Sequence, residues 1–161
     1  MNITSSDIIL LAHASFGVLG SMAALWVFLE ALNARPESAA RIRKAALLCA
    51  IAMGAAWIFG GYWYVYFYPA EKAIILKGPW PFAHNLFMET KEHLFFITGL
   101  LSFYLVVAVR DKIYASAAAR KMVLSVSLLI VLTGMAVEGA GAIIDHGVKI
   151  ALLRGNSKGA Q

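Results

Sequence analysis

A single cysteine, Cys49, stands among 161 residues. It allows no internal disulfide and no cysteine-built metal cluster, and its place inside an apolar run marks it as a packing residue. Charge is also scarce, at 14% Asp, Glu, Lys and Arg. There is no Cys-x-x-Cys-His for covalent haem attachment, no phosphate-binding glycine loop, no Gly-x-Ser-x-Gly elbow and no His-Glu-x-x-His. Hydrolytic and nucleotide-driven chemistry therefore has no sequence support. No Lys or Arg precedes the first apolar run. A secretory signal peptide begins with such a stretch, so the first run is read as a retained helix. The net charge of +5 does not indicate nucleic acid, because the basic residues sit in short connections between apolar stretches.

What the chain has in abundance is apolar surface. Hydrophobic residues make up 61% of it, and the mean hydropathy is +0.74. A soluble domain of this size cannot hide that much, and runs of ~20 apolar residues are long enough to cross the hydrocarbon core. Four such runs are expected, over about 8–32, 45–68, 82–109 and 122–152. In lipid the backbone must satisfy its own hydrogen bonds, so they are helices. The expected fold is all-α: one transmembrane domain, an integral-membrane antiparallel four-helix bundle. Ser5, Ser6 and Asp7 are suited to cap the first helix. Ala70 to Pro81 reads as the longest connection, and Arg154 to Gln161 as a polar tail.

The connections after the first and third runs carry Arg35, Arg41, Arg43, Lys44, Arg110, Lys112, Arg120 and Lys121. The connection between the second and third holds only Lys72 and Lys77. The positive-inside rule places the two basic connections in the cytoplasm and both termini outside. Lys149, Arg154 and Lys158 argue the other way.

Alternation brings all four histidines to one face, whichever way the chain is inserted. His13 lies near the start of the first run, His84 and His93 near the start of the third, and His146 near the end of the fourth. Ionisable groups at membrane depth mark function by default. Gly17, Gly20 and Ala24 share a helical face with His13, and Gly139 and Ala142 share one with His146. Each histidine thus heads a track of small residues, the arrangement a flat macrocycle between two helices requires. Small residues also simply let membrane helices approach closely.

The third run opens with Glu89, Glu92 and His93 within one arc of about 100°. Two acids beside an imidazole suit metal ligation, tautomer control or proton relay. Acids in a first helical turn are also ordinary. His84 precedes His93 by nine residues, so on one continuous helix the two point apart. It is the weakest ligand candidate of the four. Glu138 is the deepest carboxylate and must be protonated, paired or hydrated. Asp145 follows on the same face. Tyr62 and Tyr66 share a face of the second run and are candidates to look inward, within a Tyr- and Trp-rich belt typical of the membrane interface.

With four runs of this length, His13 followed by Gly17 and Gly20, and histidines on the third and fourth runs, the chain resembles the small four-helix membrane b-type cytochromes of bacteria. The resemblance implies haem b, residence in a bacterial inner membrane, and electron exchange with a quinone or a membrane redox complex. Those cytochromes commonly carry haem near both faces, whereas here the inner half has no histidine, so one haem near the outer face is expected. His13, His93 and His146 are the ligand candidates, paired as His13–His146 along the small-residue tracks or as His13–His93 across the bundle diagonal. Two other readings stand beside this one. A non-haem iron, copper or zinc site, for metal binding or metal transport, would draw on the three histidines with Glu89, Glu92 and Glu138. Alternatively, the chain is an accessory subunit of a larger membrane complex.

Overall fold

The computed structural model describes residues 4–110 and 112–158; the last residues of the polar tail, 159–161, lie outside the described residues. The chain is all-α, with helices α1 (Ser5–Leu32), α2 (Ala39–Tyr66), α3 (Tyr68–Lys77), α4 (Glu89–Ala108) and α5 (Ala117–Lys158). Four helical stretches are long and apolar enough to cross a membrane: Ser5–Leu32, Pro36–Tyr66, Ala83–Ala108 and Ala117–Gly155. They pack as a ring in which α1 contacts α2 and α5, and α4 contacts α5 and α2. Helices α1 and α4 are therefore diagonal, as expected for an up-and-down bundle.

Three local details differ from the sequence expectation. The N-cap of α1 is Thr4, one residue earlier. Its Oγ1 accepts from Asp7 N at 3.3 Å, and Asp7 Oδ2 accepts from Thr4 N at 2.9 Å, a reciprocal capping box. The stretch from Ala70 onward is not an open connection but most of α3. Pro69 sits in its first turn, where a missing N–H costs nothing, with Glu71 in the first turn and Lys77 in the last, both matched to the helix dipole. And α5 begins five residues before the expected Met122 and runs on into the polar tail.

The interior has three layers. At the basic-loop end, Ala24, Val27, Ala31, Ala46, Cys49, Met53, Leu105, Val123 and Ile130 form a close-packed apolar cluster. Cys49 is fully buried there, as a packing residue. At the other end, Trp63, Tyr68, Ile75, Ala83, Met88 and Ile144 form a second cluster, roofed by α3. Between them lies a layer that carries His13, Gly17, Ser21, Lys91, Thr98 and Glu138. Large apolar side chains such as Leu11, Ile58, Phe96, Leu132 and Met135 point outward, the surface a bilayer would cover.

Before α4, residues Ala83–Met88 form a π-helical turn. Such wide turns re-phase the helix that follows and concentrate at functional sites. Here His84, Met88, Lys91, Thr98, Ser102 and Leu105 end up on the inner side, while Glu89, Glu92 and His93 face outward.

Candidate functional site

The middle layer draws on α1, α4 and α5. His13 is buried, and its Nδ1–H donates to the carbonyl of Ala56 at 2.9 Å. A carbonyl only accepts, so this bond fixes the proton on Nδ1, and in the neutral ring Nε2 is an acceptor. Among the described residues no group bonds Nε2, and no buried side-chain nitrogen or oxygen is sealed without a partner. Nε2 therefore opens on a cavity. The ring lies edge-on to Phe95, with centroids 5.4 Å apart. A Cβ on Gly60 would come within 2.5 Å of His13 Nδ1, so that glycine makes room for the imidazole.

Lys91 and Glu138 face one another from α4 and α5. Each feels the other's charge, yet no direct hydrogen bond or ion pair joins them. Two adjoining cavities meet here. The polar one, about 310 Å³, is lined by His13, Ala14, Glu71, Lys91, Glu138 and Asp145, among others. The aromatic one, about 270 Å³, is lined by His13, Gly60, Gly61, Trp63, Tyr64, Lys91, Phe95 and Phe96. A third pocket of about 10 Å³ continues toward the membrane centre between His13, Ser21, Thr98, Gly134 and Glu138. Thr98 Oγ1 donates to Thr133 Oγ1 at 2.8 Å at that depth.

The remaining sequence candidates are placed elsewhere. Gly17 and Gly20 leave room for side chains rather than a ring: a Cβ on Gly17 would lie 2.9 Å from Glu138 Oε1, and one on Gly20 would lie 2.9 Å from Met53. Gly139 is exposed with open space around it, and Ala142, though exposed, lines the polar cavity rather than the seat of a ring. His146 is exposed too, edge-on to Trp80 at 5.1 Å. His93 is exposed, its Nδ1–H donating to the Glu89 carbonyl at 2.7 Å. His84 is buried but shares a 2.9 Å hydrogen bond with the Tyr68 hydroxyl. Tyr62 and Tyr66 lie against each other at 4.5 Å on the outer surface; Trp63 and Tyr68 point inward instead. Glu89 is exposed, Glu92 is exposed at the rim of the aromatic cavity, and Asp145 pairs with Lys149 at 2.6 Å. Among the described residues no three His, Cys, Asp or Glu side chains converge as a metal would need.

Lys91 is a site residue that the sequence analysis does not single out. The signal was there in the spacing Met88, Lys91, Phe95, Thr98, Ser102, which is a single helical stripe ending in small polar residues.

Two groups at the α3 end are perturbed. Burial above all, then the neighbouring Tyr64, Glu71, Glu92 and Glu89, hold the Tyr68 phenol well above its ordinary range. Burial, then Asp145 and Asp7, raise the Glu71 carboxyl above its ordinary value. The folded chain thus holds the Glu71 proton more tightly than the unfolded chain. The associated stability is present below the ordinary value of 4.5 and is lost as pH rises through the raised one. Thermal unfolding in detergent should show this as a falling melting temperature over that window, absent in Glu71→Gln. Parallel curves for the two proteins would refute it.

Comparison with known protein families, characterised proteins and solved structures gives no match.

Proposed function

We propose that this chain is a multi-span membrane protein that binds a lipid-soluble molecule with a hydroxylated aromatic head, of the quinol type, at His13 and Lys91. The observation that carries this is the meeting of an unshared imidazole nitrogen and an unpaired ammonium at the back of an aromatic slot. Structural glue between helices would join Lys91 and Glu138 directly and close the space. Instead there is a cavity with one acceptor, Nε2, for a hydroxyl and one donor, Nζ, for a second oxygen. The slot runs between α2 and α4, where Gly61, Val65 and Phe96 are exposed at its rim. A ligand dissolved in the bilayer would enter there. Ligand pockets with apolar walls and a few converging polar groups are the common pattern. By the positive-inside rule the site lies in the outer half of the membrane.

Haem ligation by two histidines has less support. His13 is the one histidine that lines these cavities; His84 is engaged by Tyr68, and His93 and His146 face away. A non-haem metal site meets the same obstacle. An accessory role beside a larger complex would use the exposed flank of Glu89, Glu92 and His93.

Binding is tested with a decyl-benzoquinol probe on the purified chain in nanodiscs, read by quenching of Trp63 and its neighbours. The chain should show saturable quenching above linear partition into lipid. Gly61→Leu should lose it. No atom lies within 4 Å of a Cβ on Gly61, so the substitution fills the doorway without disturbing the fold, and it gains helix propensity of up to about 1 kcal/mol. Purely linear quenching, or equal binding by Gly61→Leu, would overturn the proposal. Saturable quenching or protection by oleate, with purely linear quinol quenching, would reassign the slot to an acyl carboxylate.

A further inference from the structure

The polar cavity asks a separate question: where Glu138 obtains and releases protons. Glu138 is seven residues, or about 10 Å at 1.5 Å per residue, deeper along α5 than Asp145. The cavity reaches it from the α3 end, past Glu71 and Asp145 at the mouth and then His13 and Lys91. Carboxylates at a mouth favour hydronium and hydrated cations over anions. Beyond Glu138 the space narrows to about 10 Å³ beside Ser21 and Thr98, room for about one water with hydroxyl partners. Past that point the packing closes. Ala24, Val27 and Ile130 are wholly inaccessible, and Met53 almost so. An ion entering such a layer meets a steep desolvation cost.

From this geometry we infer that the polar cavity is a one-sided aqueous path: protons pass between Glu138 and the aqueous phase at the α3 end, and go no further. The charged or titratable groups that face this path are His13 from α1, Glu71 from α3, Lys91 from α4, and Asp145 with Glu138 on α5. The proton moves by exchange through water between carboxylate oxygens and the aqueous phase, so no redox partner enters the step. The inference does not depend on which ligand fills the aromatic slot. If that slot does bind a hydroxylated head, the path fixes the side of the membrane to which its proton goes.

Cysteine accessibility tests the sidedness. Cys49→Ala supplies a thiol-free background, because Cys49 is the single cysteine. Into it go Ala14→Cys, which lines the polar cavity, and Ala24→Cys, within the closed layer. The exposed positions Ala70→Cys and Ala115→Cys mark the two aqueous sides. A membrane-impermeant cationic thiosulfonate is applied to sealed vesicles of each orientation. Ala14→Cys should label from the side that labels Ala70→Cys, lose labelling from the side of Ala115→Cys, and Ala24→Cys should label from neither. In parallel, the Glu138 carboxyl infrared band, identified by its absence in Glu138→Gln, should shift promptly when the α3 side meets heavy water. An unreactive Ala14→Cys with an unshifted band would show that no water reaches the site. Labelling of Ala24→Cys from the Ala115 side would show a path that runs through. Either result overturns the inference, and neither bears on quinol binding at the slot.

Discussion

Lys91→Met should give a protein that is more stable and, if the slot takes a quinol-type head as proposed, binds the benzoquinol probe more weakly. The two effects have opposite signs, which makes the variant diagnostic. An ammonium at membrane depth is expensive: insertion scales set the cost of a central Lys at about 2.5–3.5 kcal/mol. Lys91 lies nearer one end and opens on a polar cavity, so only a fraction of that is at stake. A gain of about 1 kcal/mol would raise the melting temperature by about 2–4 °C for a chain of this size. Met keeps the length and the apolar stem of the side chain, so the wall that Lys91 shares with Met88 and Phe95 keeps its shape. Binding should suffer, because Nζ is the one cationic donor lining the aromatic slot. A hydrogen bond from a charged group contributes about 1.5–3 kcal/mol, which is roughly ten- to a hundred-fold in Kd for the benzoquinol probe. If Lys91 were helix glue, the variant would be less stable and binding would not change. Lys91→Arg separates charge from shape: it keeps the charge but presents a planar fork in place of a point donor, so it should recover only part of the affinity.

The four long apolar helices and the shared end of the four histidines were legible because they rest on apolar run length and on alternation, which are one-dimensional signals. The rotation of each helix about its own axis was not. In a soluble bundle the polar face tells which side is in. Here lipid is as apolar as the core, so that contrast is missing. His13 is buried, whereas His146 and His93, which carry the same signal in sequence, face outward. On α4 the π-turn at Ala83–Met88 adds a phase change that a count at 100° per residue does not contain. It shifts His84 against the rest of α4, on which Lys91 faces inward and Glu89, Glu92 and His93 face outward. The small-residue track below His13 is filled by the protein's own side chains, Glu138 against Gly17 and Met53 against Gly20, and nothing lies against Gly139 in the other. Helix α3 was missed for another reason. It is ten residues long, too short to cross a bilayer, and Pro69 at its start reads as a stop unless it is recognised as a first-turn residue.

Gly99→Ala should cost the fold more than any other single methyl added to the interior. A Cβ there would overlap the indole of Trp57. That ring is held by three contacts it would have to give up. Its Nε1–H donates to the Phe95 carbonyl at 3.1 Å, its face stacks on Phe96 at 4.9 Å, and Phe103 stands edge-on at 5.9 Å. Overpacking a filled site costs about 1–3 kcal/mol, and the displaced indole gives up a hydrogen bond that contributes about 1 kcal/mol more. The contact joins α2 to α4. With no hydrophobic drive between helices in lipid, packing of this kind is what holds such a pair together. The loss should appear as a melting temperature lowered by several degrees in detergent. Trp57→Phe removes the overlapping atoms, so the double variant Gly99→Ala with Trp57→Phe should be less destabilised than the sum of the two single changes, a coupling that a double-mutant cycle reads directly. Additive effects, or an unchanged melting temperature in Gly99→Ala, would mean that α2 and α4 are not locked by this indole. The aromatic slot one turn away would then lack the fixed wall that Phe95 and Phe96 give it.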